Sequence, residues 1–293
     1  ILTKAKKLHK EGKFQDAILN YKKLLKTTKV NSQIYYLIGT AFLQLRNYFE
    51  TVNYIKKAVE IEKFKPSYYN NLGIALSQLN DNKNAIENYK KAIKLDSSFL
   101  DANINLGIAY MKEIKFEDAM KHFAISLKIA PNNYKIYNNI GNLLRNMGKT
   151  EEAIKSYDKS IEYNKENVEA YNNKAEIFLS KKKFSLAIKM FDEALKIDPE
   201  FNYMFGKYFH TKMHICDWDN FHKDLRKIES EIKNNKKIIE PFPLLSLLDD
   251  MNIQKKNAIL FNNEAFQNIG NFRIKVNKKK NKKIKVGYLQ QNL

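Results

Sequence analysis

Four asparagines, Asn71, Asn105, Asn139 and Asn173, recur every 34 residues along the chain. A carboxamide offers one acceptor and two donor hydrogens, so a column of them can clamp the main chain of an extended peptide without reading its side chains. Asparagine is a poor helix former with no capping duty in mid-helix, so its return in one register needs a reason. Bonding between adjacent helices is the competing reading. Asn70, Asn138 and Asn172 lie one place off the register, and the two earlier units carry Thr3 and Leu37 at that place. Any column therefore covers only the later four units. A second group, His210, His214, Cys216, Asp217, Asp219 and His222, gathers nitrogen, sulfur and oxygen ligands. Structural zinc sites usually pair CxxC with a second CxxC or with HxxxH, and this spacing does neither. No metal ligand is assigned; the preferred reading is a capping helix that seals the last unit, with Trp218 as its packing anchor. No catalytic or cofactor-binding residue is assigned, since no general base or glycine-rich phosphate loop stands out.

The elements that position these residues follow from the same period. Gly39, Gly73, Gly107 and Gly141 are 34 apart, and Ala5 and Ala175 continue the series. Twelve places on lie Ala17, Thr51, Ala85, Ala119, Ala153 and Ala187; sixteen on lie Tyr21, Ile55, Tyr89, Phe123, Tyr157 and Phe191. Small residues permit two helices of one unit to approach closely, and aromatics are expected to fill the holes between successive units. The pattern resembles the tetratricopeptide repeat, a helix–turn–helix unit of this length. Its expected fold is all-α, a right-handed superhelix with a concave groove, because a single unit cannot bury both its faces. Six units are expected at 1–31 (truncated), 32–65, 66–99, 100–133, 134–167 and 168–201. Pro131 and Pro199 mark steps to a following unit. Past Phe201 the period is expected to break, because Phe209 stands where the next glycine falls. Capping and linker helices are expected over 202–270.

Composition narrows the function. The chain has 293 residues, 52 basic and 32 acidic, a formal net charge of +20. Only Arg46, Arg145, Arg226 and Arg273 are arginines. Phosphate and base readers favour the planar arginine fork, so a lysine-rich chain argues against a nucleic-acid partner. The lone Cys216 excludes a disulfide scaffold and fits a reducing, cytoplasmic setting. No apolar run approaches the roughly 20 residues that span a bilayer, so no membrane partner is expected. Self-association is left open. From Asn271 onward eight basic residues and no acidic one lead into Lys283-Ile284-Lys285-Val286-Gly287-Tyr288-Leu289, whose alternation reads as a β-strand. A lone strand has unpaired backbone groups, which suggests the start of a further sheet domain, and the missing initiator Met suggests a chain that begins mid-protein.

Repeats followed by Cys216-Asp217-Trp218-Asp219, then Pro241-Phe242 with Leu244-Leu245 and Leu248-Asp249-Asp250, then Ile284 to Leu289, resemble the bacterial O-GlcNAc transferase and SPINDLY-like family. The resemblance implies that residues 271–293 are a basic linker and the first strand of a two-lobed GT-B glycosyltransferase domain. It implies transfer of N-acetylglucosamine or fucose from a UDP-sugar or similar nucleotide donor to Ser or Thr of a protein acceptor. It also implies that Asn71, Asn105, Asn139 and Asn173 hold that acceptor inside the superhelix. Gln290-Gln291-Asn292 departs from the family's usual Ser-Ser/Ala-Asp after the strand. A non-enzymatic scaffold for protein assembly is the alternative.

Overall fold

The computed structural model describes residues 1–27 and 31–265, which are all-helical: sixteen α-helices and no strand among them. The expected strand at 284–289 lies outside the described residues. Twelve helices form six hairpins: α1 (Leu2–Lys10) with α2 (Phe14–Thr27), α3 (Ser32–Gln44) with α4 (Tyr48–Ile61), and α5 (Pro66–Gln78) with α6 (Asn82–Leu95). There follow α7 (Leu100–Lys112) with α8 (Phe116–Ile129), α9 (Tyr134–Asn146) with α10 (Thr150–Tyr163), and α11 (Val168–Ser180) with α12 (Phe184–Ile197). Each helix packs against the next in the chain, and α3, α5, α7, α9 and α11 also touch their counterparts one unit along. The hairpins thus stack side by side into a superhelix.

Local chemistry sets the ends of these helices. Asn31, Asn47, Asp81 and Asn133 cap α3, α4, α6 and α9 by accepting a backbone N–H in the first turn. The turn inside each hairpin places one residue in the left-handed region: Gly12, Arg46, Asn80, Ile114, Gly148 and Lys182, again 34 apart. Glycine takes this conformation without strain; Ile114, a β-branched residue, does so at a cost that the packed hairpin must offset.

The core within each hairpin is a ring or branched side chain seated on a residue that lacks bulk. A Cβ added at Gly107 would stand 2.6 Å from Phe123, and one at Gly39, Gly73 or Gly141 would meet Ile55, Tyr89 or Tyr157 as closely. Ala5 with Tyr21 and Ala175 with Phe191, all four fully buried, occupy the same places in the end units. This corrects the expectation that these rings fill gaps between units: each sits first against the small residue of its own hairpin. A helix surface without a side chain is the deepest hole available, and the facing ring sixteen residues on fills it.

The backbone period also outlasts its expected end. Helix α13 (Met204–His214) closes 34 residues after α11, and the left-handed residue of the following turn, Cys216, lies 34 after Lys182. It packs on α12 as an opening helix of a seventh unit. The signature disappears because Phe209 replaces glycine. With that surface filled, α14 (Phe221–Lys233) starts late, and Phe221 stacks on Phe209 at 5.3 Å instead of entering a hole. The close approach moves to Gly206, where Ile239 of the segment before α15 (Pro241–Leu245) and α16 (Met251–Ala265) rests.

Trp218 is not the anchor of this cap; it is 53% exposed. Met204, Phe205, Phe209, Ile239 and Leu244 are among the buried side chains there. The buried Lys212 explains the difference. Its ammonium donates to the Asp219 carbonyl at 3.0 Å and pairs with Asp217 at 3.3 Å, which holds the 216–219 loop by its backbone and leaves the indole outside, edge-on to Phe221.

Candidate functional site: the asparagine-lined groove

A single groove of about 440 Å³ is lined by residues of α3, α5, α7 and α9 alone: Thr40, Leu43, Gln44, Asn70, Asn71, Ile74, Asp101, Ile104, Asn105, Ile108, Lys135 and Asn139. The opening helices of the hairpins therefore face a common hollow. Asn71, Asn105 and Asn139 share this groove, and Asn173 holds the same register on α11. All four are half-buried.

Three of the four make a side-chain bond to the preceding unit, always to the residue 35 places upstream. Asn71 donates to the Tyr36 hydroxyl at 2.9 Å, Asn105 to Asn70 Oδ1 at 3.0 Å, and Asn173 to Asn138 Oδ1 at 3.2 Å. Asn139 has Ile104 at that place and makes no side-chain hydrogen bond among the described residues. The off-register asparagines Asn70 and Asn138, which look incidental in the sequence, are thus the acceptors of an inter-unit ladder. A 35-residue offset between polar residues was the signal available for finding them. Asn70 also donates to Asn71 at 3.3 Å.

One end of the ladder is aromatic. Tyr36 stacks on Tyr68 at 4.5 Å, and burial pushes its hydroxyl above its ordinary pKa, so it stays a neutral acceptor for Asn71. Lower on the same face, Lys112 reaches Ser77 of the preceding unit at 3.2 Å. The ladder spends one donor of each carboxamide that takes part. The Oδ1 atoms of Asn105 and Asn173 accept no bond among the described residues, and Asn139 keeps its full complement.

The histidine and cysteine group is dispersed. His214 lies flat on Phe184 at 4.8 Å, His210 meets His214 edge-on at 4.9 Å, Cys216 is exposed in its turn, and His222 abuts Phe221. Among the described residues no three metal-binding side chains converge. Burial and the neighbouring His214 hold His210 below its ordinary pKa. His210 and His214 instead line a pocket of about 410 Å³ between α11 and α13, beside Glu176, which pairs with Lys207.

Comparison with known families agrees with this geometry. A model described as TPR repeat matches residues 75–113, and two described as tetratricopeptide repeat match 32–64 and 138–200. These three segments carry TPR repeats. The helical superhelix is similar to the crystal structure of MamA, 25% identical over 55% of this chain and 94% of that one, with a TM-score of 0.51. Pseudomonas aeruginosa pilF is 18% identical, over 68% of this chain and 90% of pilF, with a TM-score of 0.58. A chain of the APC/C hetero-tetramer Cut9–Hcn1 is 13% identical, over 87% of this chain and 48% of that one, at 0.64. The last two share the fold alone. No curated protein matches the chain. Scaffolds of this kind suit protein–protein interaction, and no described helix is long and apolar enough to cross a membrane.

Proposed function

We propose that the groove binds an extended polypeptide segment, whose main chain is held by the carboxamides of Asn71, Asn105, Asn139 and Asn173. The observation that carries this reading is the hydrogen-bonding capacity left over once the ladder is made. An unspent acceptor on Asn105 and a wholly unpaired Asn139 line a hollow that runs across four units, and Asn173 keeps an unspent acceptor in the same register on α11. Main-chain N–H and C=O groups of an extended segment are the natural complement, and the ladder fixes the carboxamides of Asn71, Asn105 and Asn173 in advance, which reduces the entropy lost on binding. The test is the double variant Asn139→Ala with Asn173→Ala, titrated with a fluorescently labelled, permanently unfolded polypeptide. Two to four lost hydrogen bonds predict binding weaker by roughly tenfold or more, with helicity nearly unchanged and melting lowered by no more than the few degrees that losing the Asn173–Asn138 bond costs. Unchanged affinity, or melting lowered by many degrees, overturns the reading.

A finer form of the proposal makes the bound segment the acceptor of a sugar. Its support is the order of the motifs at 216–219, 241–250 and 283–289, shared in resemblance with protein O-glycosyltransferases. Incubating the native gene product with labelled UDP-N-acetylglucosamine and a Ser/Thr-containing peptide that the groove binds tests it. Label on the peptide supports the enzyme; no transfer leaves a plain scaffold for protein partners.

A further inference from the structure

The ladder breaks at one place, and the break has its own chemistry. In three units the asparagine finds a polar partner 35 residues upstream; Asn139 finds Ile104. Around it the groove floor is aliphatic, with Ile74, Ile104 and Ile108 all half-buried and all lining the same hollow. Asp101 and Lys135, which hold equivalent places in successive units, edge this floor. Both are exposed, and neither takes part in a salt bridge among the described residues; Lys135 lies over the Tyr134 ring at 5.9 Å.

We infer that this middle section is a specificity subsite for an extended segment carrying an aliphatic residue between two side chains of opposite charge. The inference rests on the peptide-binding reading of the groove. Asn139, with acceptor and donors free, pairs with the N–H and C=O of one residue of the segment. The side chain beside that residue then meets Ile104 and Ile108, where a polar group would lose water and gain no partner. A basic side chain suits Asp101 and an acidic one suits Lys135. Packed helices lie about 8–10 Å apart, close to the span of three residues of extended chain at ~3.3 Å each, so the two charges fall within one short segment. Elsewhere in the ladder an amide faces an amide or a hydroxyl, which favours no side-chain class. The groove as a whole grips main chain; this section selects.

The test uses labelled Gly/Ser/Thr host peptides with one central guest, Leu or Ser, flanked by Lys on one side and Glu on the other in either order. Burial of one aliphatic side chain predicts roughly tenfold tighter binding of the Leu guest than of the Ser guest. Ile104→Asn gives Asn139 an acceptor like those in the other units and replaces the apolar wall. It is expected to bring that ratio to within about twofold while binding of the Ser host persists. Ile108→Asn, on the same floor, gives the same result should Ile104→Asn fail to fold by circular dichroism. Exchanging the charges, Asp101→Lys with Lys135→Asp, is expected to invert the preferred flank order by a few-fold at low salt. Equal binding of Leu and Ser guests to the wild type, or a Leu preference that survives in both isoleucine variants, overturns the subsite and leaves peptide binding standing. If no host peptide binds the wild type at all, both readings fall.

Discussion

Asn105 donates to Asn70 across a unit boundary at 3.0 Å, whereas Asn139, in the same register, has Ile104 at the equivalent upstream place and makes no such bond. Four residues that look equivalent in the sequence therefore divide into ladder members and one free group. The difference is measurable in stability as well as in binding.

Asn173→Ala removes its bond to Asn138 and is expected to cost about 0.5–1.5 kcal/mol, whereas Asn139→Ala removes none and is expected to stay within about 0.5 kcal/mol. Urea unfolding of the two single variants checks this. Equal losses would mean that Asn139 has a structural partner after all.

Gly107→Ala drives a methyl into the Phe123 ring at 2.6 Å, and both helices must shift to admit it. An overpacked core of this kind loses about 1–3 kcal/mol. Adding Phe123→Leu, which trims the facing ring, is expected to recover part of the loss in the same unfolding measurement.

Gly206→Ala acts on the cap rather than on the repeats. The new Cβ would stand 2.7 Å from the Ile239 backbone, and the Gly206 N–H is bonded to the Ile238 carbonyl at 2.9 Å, so segment 237–239 has to lift from α13. Tryptic cleavage after Lys236 or Lys237 is expected to speed up roughly tenfold, as for an opening made easier by 1–3 kcal/mol. Cleavage at the wild-type rate would show that the contact does not hold the segment down.

Alkaline pH should loosen the stack. Burial pushes the Tyr157 hydroxyl from its ordinary 10.0 up to about 12, and raises Tyr89 as well. A raised folded pKa means that the unfolded chain releases its protons first, so stability from these groups is complete below pH 10 and falls as pH rises towards 12. Tyrosinate absorbance and helicity followed together are expected to change in one cooperative step over that range. Ionisation of Tyr157 near 10, well before loss of helicity, would contradict its burial.

The architecture was legible because each hairpin writes its packing into local sequence. A residue without bulk and its partner sixteen places on are linked by helix geometry and one tight turn, so Gly107 and Phe123 announce their contact without reference to the rest of the chain. The asparagine register was visible for the same reason. Its bonding was not: a donor at Asn105 meets an acceptor at Asn70 only because adjacent hairpins stack with a particular offset, and that offset comes from the packing of whole units. The cap was legible only in part, for a related cause. Phe209 erased the glycine signature, yet α13 still docked on α12, because the open end of α12 offers the same apolar surface whatever residue arrives. Trp218 looked like an anchor by size, but Lys212 had already tied its loop down by the backbone. Residue types and period determined that the chain builds stacked helical hairpins with amides on one face; three-dimensional stacking decided which amides are spent on one another and which remain open to a partner.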